Sequence, residues 1–348
     1  MDRPRLLTPA RPTGMTRRSV LGLGAAAASS LLLPGCSRGR ADEPAPAGSA
    51  TFATGNEGGV YATFGAALSG LVSEVTGMEL KPIITNGSVD NLMKVDSGKA
   101  DLGFCTSDAA LAAYEGTGIF DSGRLKFTAL ARVYDNYVHF VVPMASPAST
   151  LDDLKPDPKK PDKKRMVVSV GPSTSGTRVV ADLILATAGI KVTKRYLTLE
   201  ESVKQLKDKA EGKNPNGIDA MIWSGGVPTD PIKALQTSIG FRLLDIGAVA
   251  EKIALTRFGG YVVSSIPPSQ YGLASSVPTL AIPNYLVATP RLSDSWAWWT
   301  VNTLFRRQND LVNSNHPEAG SLDPRSAIAT MPIPLHPAAE RWYRNNHI

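Results

Sequence analysis

Cysteine is nearly absent from this 348-residue chain, which has only Cys36 and Cys105. Two thiols make at most one bridge, so a disulfide-stapled scaffold is excluded. Histidine is as scarce. His139, His316, His336 and His347 show neither metal-ligand spacing nor pairing along a helix, and no metal is expected. The glycines from Gly55 to Gly59 lack the following Lys-Ser/Thr of a nucleotide-binding loop. Ser173 lacks the glycine two residues later that a nucleophile elbow requires. Catalytic residues and cofactors are therefore not expected. A membrane span needs about 20 apolar residues, and Val20 to Leu33 falls short, broken by Gly22, Gly24 and two serines.

A strong charge surplus is missing too. The formal charge is +6, from 37 basic and 31 acidic residues. Arg3, Arg5, Arg11, Arg17, Arg18 and Asp2 all lie in residues 1–35, and without them 32 basic and 30 acidic residues leave +2. The basicity belongs to the leader, so no nucleic-acid partner is expected. Cys105 follows a short apolar strand and reads as a small buried residue.

What is present starts with an address. Arg17-Arg18 precede the modest apolar stretch, as in a twin-arginine export signal. Leu33-Pro34-Gly35-Cys36 resembles a lipobox, with Pro34 where a small residue is usual and Cys36 as the lipidated new N-terminus. Residues 1–35 are thus read as a signal peptide, with Met15 a possible alternative start. Residues 36–49, rich in Ser, Gly, Ala and Pro, have the composition of a disordered tether.

From residue 50 strands and helices alternate. The pattern predicts strands at Ala50–Thr54, Leu80–Thr85, Leu102–Cys105, Phe127–Tyr134 and Tyr137–Val142. Helices are predicted at Val60–Thr76, Ser88–Ser97 and Asp108–Tyr114. A second set has strands at Met166–Val170, Arg195–Leu199, Asp219–Trp223 and Phe241–Leu244. Its helices fall at Ser175–Ala188, Glu200–Lys209 and Pro228–Ser238. The Pro- and Lys-rich stretch from Lys155 to Arg165 reads as an exposed loop. Strands at Tyr261–Ser265 and Thr279–Ala288 precede helices at Asp294–Arg307, near 309–315, near 322–329 and from Pro337. The alternation and 43% hydrophobic content argue for an α/β protein with mainly parallel sheets.

Where strand gives way to helix, small polar residues cluster. These turns are Thr54-Gly55-Asn56-Glu57-Gly58-Gly59-Val60-Tyr61, Asn86-Gly87-Ser88 with Asn91 one turn on, Ser107-Asp108, Ser173-Thr174-Ser175-Gly176-Thr177, and Trp223-Ser224-Gly225-Gly226-Val227-Pro228. Helix starts offer unpaired N–H groups and a favourable field to anions. In order and spacing these turns, with Pro332-Ile333-Pro334-Leu335-His336-Pro337, resemble the solute-binding subunits of TRAP transporters, specifically the TAXI family, from about residue 50 onward.

That resemblance implies a two-lobed periplasmic-binding-protein fold of type II, with ligand in the interlobe cleft. It implies one lobe from 50–142 and 260–348 and another from 143–259, with crossings near 136–144 and 258–266. The expected ligand contacts are Thr54, Gly55, Asn56, Gly58, Gly59, Val60, Tyr61, Asn86, Gly87, Ser88, Asn91, Ser107, Asp108, Tyr134, Ser173, Ser175, Gly176, Thr177, Ser224, Gly225, Gly226 and Val227. Each has a plainer role open to it. Ser88, Ser175 and Asp108 are also candidate helix caps, Gly58-Gly59 a tight turn, and Trp223 and Tyr137 core residues. Arg132 and Arg178 are candidates for a bidentate carboxylate clamp, or for an ion pair and a surface position.

The function implied is that of a lipid-anchored extracytoplasmic receptor, monomeric, for a small anionic organic solute. Glutamate, glutamine or a dicarboxylate such as 2-oxoglutarate is the expected ligand, and the permease subunits of a TRAP transporter are the expected partners. The alternatives are a receptor for an aromatic or sulfonated compound with an ATP-driven or sensory partner, and a periplasmic enzyme.

Overall fold

The computed structural model describes residues 43–155, 165–256 and 260–348. The stretch expected to be a signal peptide, Cys36 and most of the Lys155–Arg165 loop lie outside them. No helix among the described residues is long and apolar enough to cross a membrane.

The first lobe is built from β1 (Ala50–Ala53), α1 (Val60–Thr76), β2 (Leu80–Ile83), α2 (Ser88–Ser97), β3 (Leu102–Thr106) and α3 (Ser107–Glu115). β1 pairs in parallel with both β2 and β3. α1 and α2 stop at Gly77 and Gly98, both left-handed at φ 71° and 73°, where glycine ends a helix at least steric cost. One apolar core covers each sheet face: Phe52, Phe64, Leu68 and Phe104 on one side, Val89, Leu92, Cys105 and Ala109 on the other. Cys105 is a free buried thiol, and burial pushes its pKa well above the ordinary value.

β4 (Thr128–Pro143) leaves this lobe as one continuous strand, where the sequence suggested two. Residues up to Tyr134 pack in the first lobe and those from Tyr137 in the second. The second lobe follows with β5 (Val167–Ser169), α4 (Gly176–Ala188), β6 (Thr193–Arg195), α5 (Leu199–Ala210) and β7 (Ala220–Gly225). After these come α6 (Asp230–Lys233), α7 (Leu235–Ser238), β8 (Phe241–Leu243), α8 (Gly247–Thr256), β9 (Val262–Ile266) and α9 (Pro268–Tyr271). β5 pairs in parallel with β6 and β7. Phe140, Val168, Val180 and Ile184 fill one face, Leu199, Leu206, Met221 and Phe241 the other.

β10 (Val277–Ala288) returns to the first lobe, where α10 (Asp294–Arg306), α11 (Gln308–Asn313), α12 (Pro324–Ala327) and α13 (Pro337–Asn345) complete the core. The sheet order is β2-β1-β3-β10-β4-β7-β5-β6, with β8 on β4 and β9 on β10. The second crossing is therefore β10, and the expectation of a crossing near 258–266 is corrected. β9 pairs with the Val277–Ala281 end of β10, and Tyr261, Ile266 and Tyr271 are buried in second-lobe cores, so residues 260–276 belong there.

At the crossing β4 and β10 pair antiparallel, and the ladder slips between Pro283 and Tyr285. Pro283 faces Asp135 and Tyr285 faces Arg132, so Val133 and Tyr134 stand opposite Asn284 alone in a β-bulge. Pro283 has no N–H to give the ladder.

Residues 43–49, expected as the end of a disordered tether, are docked instead. The Glu43 carboxylate accepts from Arg341 at 2.8 Å, and the Trp296 and Trp299 indoles donate to the carbonyls of Ala47 and Pro44 at 3.2 and 3.1 Å.

Candidate functional site

The starts of α1, α2 and α4 face one another across the line between the lobes and enclose a cavity of about 30 Å³. From the first lobe its wall takes Gly55, Asn56, Gly59, Val60 and Tyr61 before and within α1, and Asn86, Gly87 and Ser88 at α2. From the second it takes Ser175, Gly176 and Thr177 at α4, with Ser224, Gly225 and Gly226 at the end of β7. Thr106, Asn136 and Trp223 also line it. Thr106 and Trp223 stand at or near strand ends, where open α/β sheets bind ligands. Asn136 sits in the polar break between the two predicted halves of β4. Those positions are the signals that could have marked them.

The chemistry of this wall is mostly backbone. Neither α1 nor α2 has a side chain capping its first turn. Val60 and Tyr61 of α1 and Ser88 and Val89 of α2 therefore keep N–H capacity at these helix starts, whereas the Asp90 N–H of α2 is taken by the Thr174 carbonyl at 2.9 Å. Gly87 allows this at α2, because its φ of 105° is open to glycine and strained for other residues. Ser88 is not the cap its position suggested. It is the first helical residue, and its Oγ accepts from the Thr106 N–H at 3.1 Å. Ser175 does cap α4, accepting from the Arg178 N–H at 3.1 Å. The Trp223 Nε1 and Ser224 Oγ are buried without a hydrogen-bond partner among the described residues.

Tyr61 joins this wall to the crossing strands. Its hydroxyl donates to Asn284 Oδ1. The Asn284 amide donates to Asn136 Oδ1 and to the Tyr134 carbonyl, each at 2.9 Å. Burial pushes the Tyr61 hydroxyl well above its ordinary pKa, so it stays a donor.

The remaining expected contacts lie outside the cavity wall. Thr54 donates to the Ile83 carbonyl at 2.7 Å. Gly58 abuts Pro231, and Ser173 is exposed with its carbonyl held by Arg178 at 2.7 Å. Asn91 is wholly buried and ties α2 to the sheet, donating to the carbonyls of Thr54 and Phe104 at 2.6 and 2.7 Å. Tyr134 packs in the first-lobe core and Val227 against a second-lobe core. Ser107 and Asp108 instead touch the other lobe, with Ser107 Oγ donating to the Gly260 carbonyl at 3.1 Å and Tyr261 donating to Asp108 Oδ2 at 2.8 Å. Burial raises the Asp108 pKa. Asp108 is no N-cap, since Thr106 holds that position at α3.

The arginine clamp does not form. Arg132 pairs with Asp135 at 2.9 Å, and Arg178 lies 3.6 Å from Asp182. Neither lines the cavity, and no charged side chain does. Carboxylates gather outside it instead. A recess of about 310 Å³ that shares Asn56 and Asn86 with the cavity also holds Glu57, Asp90 and Glu200. A groove of about 610 Å³ between α3 and α4 holds Asp108, Glu115 and Asp182 with Arg178.

Direct contacts hold the lobes together around this space. The Asp90 N–H donates to the Thr174 carbonyl at 2.9 Å, and the Leu199 N–H to Asn56 Oδ1 at 3.1 Å. A Cβ on Gly176 would lie 2.6 Å from Ser88 Oγ, and one on Gly226 2.8 Å from Val60.

Residues 52–346 match the family model described as the NMT1-like family. Among solved structures, MatC from Rhodopseudomonas palustris with bound malate is similar at TM-score 0.52 and 15% identity, over 86% of this chain and 99% of that one. The periplasmic binding protein BugD is similar at TM-score 0.54 and 9% identity, over 87% and 97%. A periplasmic transporter is similar at TM-score 0.50 and 12% identity, over 86% and 93%. The fold is the two-lobed α/β fold of periplasmic binding proteins.

Proposed function

This chain belongs to the NMT1-like family, and from that premise we propose that it is an extracytoplasmic solute-binding protein. It captures a small anionic organic solute by closing its lobes about the β4–β10 crossing. The observation that carries this reading is the meeting of the uncapped starts of α1 and α2 with the start of α4 at one buried, uncharged wall. Each helix start contributes roughly 0.3–1 kcal/mol to a carboxylate, and direct hydrogen bonds add to it. The same fold accommodates an organic acid in MatC.

The order of the turns supports a TRAP-type permease as partner, with glutamate, glutamine and 2-oxoglutarate as first candidate solutes. Arg17-Arg18 support twin-arginine export and Cys36 supports a lipid anchor; the receptor is taken to act as a monomer. A neighbouring gene for a large multi-span permease fits this assignment, and one for an ATPase argues against it. Cys36→Ser should abolish incorporation of labelled fatty acid.

The experiment that tests the reading is thermal unfolding of residues 37–348 against carboxylates, amino acids and sulfonates. A solute at ~100 times its dissociation constant stabilises by about 2.7 kcal/mol. A shift with one carboxylate class supports the proposal, and a shift with sulfonates or aromatics alone transfers it to the alternative receptor. Absence of any shift removes it.

A further inference from the structure

We propose that the cleft selects a short-chain monocarboxylate, an anion with one negative charge and no second charged group. The inference rests on the solute-binding reading and narrows it, ranking such acids above glutamate and 2-oxoglutarate.

The wall is rich in donors seeking an acceptor. Trp223 and Ser224 are each only 7% exposed, and Trp223 Nε1 and Ser224 Oγ find no partner among the described residues. Buried donors left unpaired are costly, so native proteins satisfy them. Gly225 lets the indole lie close over the chain, since a Cβ there would stand 2.4 Å from Trp223 Nε1. With the uncapped starts of α1 and α2, these donors suit the oxygens of a single carboxylate.

A second charge finds nothing to meet it. The wall has no Lys or Arg for another carboxylate, and no Asp or Glu for an ammonium group. Burying an uncompensated charge is strongly unfavourable. The flanking spaces add repulsion, with Glu57, Asp90 and Glu200 on one side and Asp108, Glu115 and Asp182 on the other. Lys94 offsets Asp90, which leaves Glu57 and Glu200 uncompensated on one flank, while Arg178 and Lys194 both pair with Asp182 and leave the other flank acidic by a single charge.

Size points the same way. A water needs roughly 10–15 Å³ of such space, and the cavity has about 30 Å³. Gly176 and Gly226 already abut the opposite lobe, so closure over a long chain is obstructed.

The test is titration at constant ionic strength with acetate, pyruvate and L-lactate against malate, 2-oxoglutarate and glutamate. Melting temperature and tryptophan emission are read together. At least one monocarboxylate should bind tenfold or more tightly than every doubly charged acid and glutamate. Trp223→Phe should weaken that monocarboxylate at least tenfold and remove the emission change. Ser224→Ala should weaken it several-fold, and it carries the test if Trp223→Phe does not fold. Tighter binding of malate, 2-oxoglutarate or glutamate overturns this inference and leaves the solute-binding reading intact. Unchanged affinity in both variants overturns it as well. Failure of all six acids to bind overturns the inference together with the carboxylate reading.

Discussion

Asn284 closes the bulge that Tyr134 opens: its side-chain amide donates to the Tyr134 carbonyl at 2.9 Å where the β4–β10 ladder slips. The same amide reaches Asn136, and its oxygen accepts from Tyr61. One wholly buried side chain thus ties the crossing strands to the cavity wall.

Asn284→Leu conserves the approximate volume and strips these bonds away, leaving buried polar atoms on Tyr61, Asn136 and Tyr134 short of partners. The expected loss is about 2–3 kcal/mol. Urea unfolding should show a lower midpoint at an unchanged slope.

Gly176→Ala tests closure by sterics. The added methyl meets Ser88 Oγ at 2.6 Å and Thr106 Oγ1 at 2.9 Å only when the lobes touch. Each lobe alone should tolerate it, with stability changed by about 0.5 kcal/mol or less. Small-angle scattering should give a larger radius of gyration than the parent protein, and solute affinity should fall at least tenfold.

His139 gives stability a pH dependence of defined sign. It is fully buried beside Tyr271, and burial lowers its pKa from 6.5 to about 4. Between those values the unfolded chain binds a proton that the folded chain refuses. This contribution is therefore complete above 6.5 and is lost as the pH falls toward 4, on the order of 3 kcal/mol in all. His139→Gln can retain a bond to Tyr271 without titrating, and chemical unfolding across this range should show a flatter profile.

Arg341→Ala removes the partner of Glu43 at 2.8 Å and of Asp294 at 3.0 Å. Both pairs are part-exposed, so the cost should stay below about 1 kcal/mol. Hydrogen exchange should nonetheless accelerate in residues 43–49, while the core strands keep their protection.

Much of the first lobe was legible because its signals are local. Val60–Thr76 and Ser88–Ser97 were read to the residue, since apolar periodicity and the following Gly77 and Gly98 mark both ends. The cavity-lining turns stood out because small polar residues follow strands. The second crossing was not legible, and the first was read as two strands where β4 is one. Asp135-Asn136 look like a loop, and only pairing with β10 and the Asn284 amide makes them strand interior. The membership of 260–276 depends on where Tyr261 and Tyr271 pack, which local pattern does not encode. Helix α8 went unread, although the Asp245 carboxylate accepting from the Gly247 N–H at 2.7 Å is a start signal. Arg132 and Arg178 misled because a carboxylate close in sequence, Asp135 or Asp182, holds each.

The crossing strands have a mechanical consequence. β4 and β10 run from one lobe to the other while bonded to each other, so the lobes share a two-stranded ribbon. Such a ribbon resists stretching and sliding, because both would break the ladder, but it bends and twists where the bulge thins it. In the proposed closure the relative motion is then expected to be close to a single rotation. One distance between a label on α2 and a label on α4 would report the whole conformational coordinate.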